Sequence, residues 1–211
     1  MPNTLTKSQA EFICHTLGDA SKMPGKTYGL PAKECNVGAR LRNVKDSVCF
    51  ECYALKGRYI MDNVQAAEYK RLDSIVHPQW SQAMATLINL SCKRVPYFRW
   101  HDSGDIQNLE HLCKIVEVVN LTPAINHWLP TREYKIVQLY RDLYGEFPEN
   151  LVVRLSAHMV DTQPPSGYGL PTSTVVTDSS ETCPSRKQDN ECKDCRACWN
   201  ADTINVSYSK H

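Results

Sequence analysis

The chain has 211 residues, a formal net charge of +1 and 42% apolar residues, enough to build the core of one domain. Lys and Arg are dispersed rather than gathered into a stripe, which argues against a protein that tracks nucleic acid. No apolar run is long enough to span a bilayer and no positively charged leader precedes an apolar stretch, so no membrane partner is expected and the expected compartment is the cytoplasm.

In chain order, the spacing predicts a first helix over 9–17, with Ser8 as N-cap, Glu11 completing a capping box and Gly18 ending it. Ala10, Ile13, Cys14 and Leu17 share its apolar face. The stretch from Met23 to Val44 is rich in Gly, Pro and charge, and reads as a short strand followed by a loop carrying Cys35. Ser47 is placed to cap a helical turn containing Cys49 and Cys52, closing at Gly57. Helices over 60–75 and 78–91 follow, with Trp80, Met84, Leu87 and Ser91 at helical spacing.

Beyond Val95 short strands alternate with helices, the pattern of βα units on a parallel sheet. Strands are expected over 97–101, 125–129, 151–156, 174–177 and 204–208, and helices over 108–119 and 132–144. The fold class is therefore α/β, a partial or open (β/α) barrel-like parallel sheet, since a closed eight-fold barrel needs more chain. A single domain is expected, with a helical part over 1–94, βα units over 95–178 and a Cys-rich segment with the last strand over 179–211.

Each strand runs into polar residues: His101, Asp102, Ser103 and Asp105 after the first, Arg132 and Glu133 after the second, His158 after the third. In α/β sheets the carboxyl ends of strands face the binding cleft. Asp102, Ser103, Asp105, Arg132 and Arg154 are thus the candidate ligand-binding residues, although His101, Asp102 and Asp105 equally suit the amino end of a helix beginning near Asn108. Arg154 lies within an apolar strand and needs a partner there, for which Asp102, Asp105 and Glu133 are candidates. Trp100, Trp128 and Trp199 read as core or as shielding for a cluster.

Seven of the ten cysteines form two sets, Cys35/Cys49/Cys52 and Cys183/Cys192/Cys195/Cys198. A disulfide framework is not expected in a reducing compartment, so close spacing reads as metal ligation. The second set supplies four thiolates, suited to a [4Fe-4S] cluster or a tetrahedral zinc, and two successive x2 spacings favour the cluster. The first set supplies three, leaving a position open for substrate or cofactor unless His15, His101 or a distant cysteine completes it. One shared site spanning both sets is the further alternative. Cys14, Cys92 and Cys113 stand alone on apolar faces, as small hydrophobes do.

The combination of Cys49-x2-Cys52-Tyr53-Ala54, the run from Phe98 to Asp105, the run from Trp128 to Glu133, Val153-Arg154-Leu155-Ser156-Ala157 and Cys195-Arg196-Ala197-Cys198-Trp199 resembles the phage gene-product-eighty-eight family. More remotely, the layout resembles the radical S-adenosylmethionine (SAM) superfamily. That resemblance implies Cys35, Cys49 and Cys52 as ligands of one [4Fe-4S] cluster whose open iron takes SAM, with Ser103-Gly104-Asp105 at the strand end that contacts it. A second cluster at the later cysteines, and a small-molecule ligand or an electron donor as partner, complete the expectation.

Overall fold

The computed structural model describes residues 5–20 and 22–210. Six parallel strands form one sheet in the order of the chain: β1 (Lys26–Tyr28), β2 (Tyr97–Trp100), β3 (Asn126–Thr131), β4 (Leu151–Ser156), β5 (Thr172–Val176) and β6 (Asn205–Ser209). Each crossover moves one strand along in the same direction. Right-handed connections then put the helical crossovers on one face and curl the sheet. β1 and β6 do not pair, so the barrel stays open.

The crossover face carries α1 (Lys7–Cys14), α4 (Trp80–Ser91), α5 (Leu109–Asn120) and α6 (Tyr134–Tyr144), whose apolar stripes close on Phe98, Trp100, Leu129, Leu151, Val153 and Leu155. Asn108 starts α5 by accepting the His111 amide at 2.8 Å, and Gly145 ends α6 at φ +86°. The other face holds a second core of Trp128, Cys198, Trp199 and Val206, with Met23, Tyr97, Cys183 and Tyr208 packed against it. Alternation along each strand sorts these side chains. Phe98 and Trp100 face the helices, and Tyr97 lies with the second core. The connections from β4 to β5 and from β5 to β6 contain no α-helix, and the Cys-rich segment of the latter packs on this second face.

Both rims of the sheet are covered by the chain itself. Gly18 pairs antiparallel with Thr27 of β1, exchanging bonds of 2.7 and 3.1 Å. At β6 the amides of Thr182 and Cys183 donate to the Ser207 carbonyl at 3.1 and 3.0 Å.

Two expected helix starts are corrected. Thr6, not Ser8, caps α1, because both reciprocal bonds with Gln9 form. Two capping signatures overlap by two residues, and the completed one sets the boundary. Ser47 caps nothing: its hydroxyl donates to the Leu41 carbonyl at 2.6 Å. Cys49 and Cys52 lie in turns, with 3-10 segments only at Tyr53–Leu55 and Gly57–Ile60. The remaining helices of this part are α2 (Asn36–Leu41) and α3 (Asp62–Ser74). Among the described residues no helix is long and apolar enough to cross a membrane.

Candidate functional site

The first cysteine set sits on the carboxyl edge of the sheet. Asn36 donates to the Gln107 carbonyl at 2.9 Å, the Val37 amide donates to Glu133 at 2.8 Å, and the Val48 amide donates to the His158 carbonyl at 2.9 Å. These bonds fasten the loop between β1 and α3 across the ends of β2, β3 and β4. Gly38 forms its floor. A Cβ there would lie 3.0 Å from the Cys35 Cβ and in ordinary contact with both sulfurs, 3.5 Å from that of Cys35 and 3.6 Å from that of Cys49, so Gly38 packs directly against both thiols. Burial pushes the Cys35 and Cys49 thiols up. At Cys35 the negative charge of Asp105 adds to this, and at both the Arg132 guanidinium opposes it.

The second set lies on the sheet face opposite the helices. The Cys198 sulfur is 3.1 Å from the Tyr208 hydroxyl, and the Cys192 sulfur is 4.0 Å from the Met23 sulfur. Burial pushes Cys198 up to about 11, and Cys183 lies close enough to add to the shift. Cys192 is raised by burial and then by Cys183 and Cys195. Electrostatically, Cys52 and Cys49 act on Cys35, and Cys183 and Cys195 act on Cys192. As the side chains stand, no group of three or more His, Cys, Asp or Glu among the described residues is arranged to hold a metal ion.

The polar strand ends have assigned tasks. Asp105 accepts from the Ile106 amide (2.8 Å), the Thr131 hydroxyl (2.6 Å) and the Arg132 amide (2.9 Å), and so locks the end of β2 to the end of β3. Asp102 accepts from Tyr59 at 3.2 Å, while its other oxygen is buried without a partner. Arg132 has an unpartnered buried Nε and is the cation nearest in effect to the first thiols. His101 is buried with both ring nitrogens unpartnered and a left-handed backbone, φ +53°.

Arg154 departs from expectation. It is 0% exposed and among the described residues its guanidinium meets no carboxylate; it donates to four carbonyls, of Thr172 and Thr203 at 2.9 Å and of Ala197 and Asn200 at 3.1 Å. Asp102, Asp105 and Glu133 are engaged at the carboxyl edge instead. Arg154 is therefore a staple that pins the turn bearing Cys198 to β4 and β5, not a ligand for an anion.

Three residues at the site escaped the sequence reading: Glu68, Arg99 and Met23. Glu68 projects from α3 and is 2% exposed, with one oxygen on the Ser103 hydroxyl and the other unpartnered. Ser103 also faces the Leu30 carbonyl at 2.6 Å. One hydroxyl proton cannot serve two acceptors, so a protonated Glu68 donating to Ser103, which donates to Leu30, satisfies the chain. Burial accordingly raises Glu68 from 4.5 to about 7. Folding thus takes up a proton. The stabilisation is complete below about 4.5 and declines as pH rises through about 7. Glu68→Gln is expected to gain roughly 1–3 kcal/mol over wild type between pH 4.5 and pH 8 in urea unfolding. Parallel pH profiles for the two proteins contradict the assignment.

Searches of curated proteins and of solved structures found no match to this chain. A family model described as gene product 88 matches residues 3–182, a span that includes Cys35, Cys49 and Cys52, the polar ends of β2, β3 and β4, and stops one residue before Cys183. On a match that covers most of its length, the chain belongs to the phage gene product 88 family.

Proposed function

We propose that this phage-type protein is an iron-sulfur protein that holds a [4Fe-4S] cluster at Cys183, Cys192, Cys195 and Cys198, and another at Cys35, Cys49 and Cys52. The reading is supported chiefly by the division of seven cysteines into a group of four and a group of three in different places of one fold. Soft thiolate donors suit iron-sulfur clusters. The approach of the Cys35 and Cys49 sulfurs to one point, over Gly38, supports a shared ligand for the two. When bound, such clusters supply one-electron redox chemistry, and an iron with three protein ligands accepts a small ligand.

The chain's own residues would do the rest. Arg132 places positive charge beside the first thiols, and Asp105 fixes Arg132 through its backbone. Asp102, with one oxygen free of partners, would receive the amino group of an amino-carboxylate such as SAM. The host cytoplasm is the compartment that fits such chemistry.

Anaerobic purification with iron, sulfide and zinc measured per chain is the direct test. About eight iron and eight sulfide are expected for two clusters, with an electron paramagnetic resonance signal of the reduced protein that changes on adding SAM. Zinc without iron overturns the reading. Clusters indifferent to SAM retain iron-sulfur binding and remove the open site.

A further inference from the structure

The last strand of the sheet ends in a cavity of about 170 Å³, lined by Cys183, Ser185, Arg186 and Asn190 of the Cys-rich segment and by Ser209 and Lys210 at the carboxyl end of β6. Ser185 and Ser209 are half-buried and make its floor, while Arg186, Asn190 and Lys210 are exposed and make its rim. Pockets for drug-sized molecules run to about 300–1,000 Å³, so this one suits a single small group. Of the four later cysteines only Cys183 lines it, which sets the cavity apart from the place where that set would meet.

The lining is rich in donors. A guanidinium and an ammonium only donate, and the asparagine amide and the serine hydroxyls can donate beside them. Among the described residues no Asp or Glu lines the cavity, and neither Arg186 nor Lys210 forms an ion pair. Asp189, next to Asn190 in the chain, is engaged with Lys193 at 3.0 Å. Like charges facing one cavity repel, so the occupant that lowers the energy is an anion.

Backbone bonds hold the walls in place. The Ser185 carbonyl accepts the Gln188 amide at 2.9 Å and the Asn190 amide at 2.8 Å, and left-handed Asp189 and Asn190, at φ +59° and +62°, turn the chain back toward Ser185. Across the cavity, the Lys210 amide donates to the Val176 carbonyl of β5 at 2.9 Å, and the bonds from Thr182 and Cys183 to Ser207 tie the two walls together.

We propose that this cavity binds a phosphate group, as inorganic phosphate or as the terminal group of a small phosphomonoester, with Arg186 and Lys210 as its counter-charges and Ser185, Asn190 and Ser209 as hydrogen-bond donors. The planar fork of arginine matches two phosphate oxygens, and lysine adds a point charge. The carboxyl end of a parallel strand is where α/β sheets take their ligands. Binding here does not depend on a metal at any cysteine.

The test is calorimetric titration of the full chain, in phosphate-free buffer at low salt, with inorganic phosphate and separately with glycerol 3-phosphate. A saturable site is expected for at least one of the two, and the tighter ligand identifies the free ion or the ester as the occupant. Arg186→Gln and Lys210→Gln are each expected to weaken binding about tenfold, the loss of one charged hydrogen bond. Lys187→Gln, which removes the neighbouring charge that does not line the cavity, is expected to leave the affinity unchanged. No saturable binding of either ligand overturns the proposal. A loss in Lys187→Gln equal to that in Arg186→Gln overturns it too, because diffuse surface attraction then suffices. All three side chains are exposed, so the variants are expected to fold, with urea midpoints close to wild type as the check.

Discussion

Arg154→Ala is expected to destabilise the protein by about 3–5 kcal/mol, seen as a lower urea midpoint, with the segment around 183–203 becoming the earliest site of proteolysis. The side chain is fully buried and gives four hydrogen bonds to carbonyls that come from three places: the start of β5, the turn at Ala197–Trp199 with Asn200, and Thr203 before β6. Charged hydrogen bonds are worth about 1.5–3 kcal/mol each, and truncation takes the charged donor from all four carbonyls, of which Ala197 and Asn200 keep only a backbone amide, at 3.2 and 3.3 Å. Burial lowers the guanidinium's pKa, yet it remains charged, because arginine keeps its proton in proteins. Arg154→Lys is expected to recover little, since a compact ammonium cannot span two pairs of carbonyls as a planar fork does. A loss below about 1 kcal/mol for Arg154→Ala, within the range of an ordinary surface change, contradicts the staple.

Gly25→Ala is the second large effect, expected to cost about 3 kcal/mol. A Cβ at this position would stand 1.8 Å from the Tyr97 carbonyl oxygen and 2.8 Å from its carbon, backbone atoms that have no rotamer to change. The strands must therefore part. β1 has only the three residues Lys26–Tyr28 paired to Phe98, Arg99 and Trp100, so a shift at its first pair loosens the whole strand. Met23 lies two residues upstream, and its contacts with Arg99 and Cys192 go with it. Urea unfolding gives the cost, and a variant as stable as wild type refutes the close approach.

Much of the fold was legible because its signals are local. The strands at β2, β3, β4 and β6 and the crossover helices α5 and α6 follow from periodicity and caps. Parallel order and the open barrel then follow from chain length and handedness. What failed depended on distant partners. Arg154 within Val153-Arg154-Leu155 announces a buried charge, but nothing local tells a ring of carbonyls from a carboxylate. Glu68 looks like any helix-surface acid until α3 is laid against Ser103. Arg99, between Phe98 and Trp100, carried a signal that alternation could have exposed: a cation on the strand face opposite two buried aromatics. The place of the later cysteines also depended on distant partners: Cys183 and Cys198 pack with Trp128 and Val206 on the second face.

The covering of the sheet's rims bears on how the protein behaves in a crowded solution. An uncovered strand edge recruits strands from other molecules, and proteins guard against this by burying or interrupting it. Here the guard on β6 is the backbone of Thr182 and Cys183, the first stretch of the Cys-rich segment. Whatever pins or releases that segment also closes or opens a template for intermolecular strand addition. Self-association, read by light scattering, is thus expected to follow the integrity of Arg154, which pins the same segment from its other end.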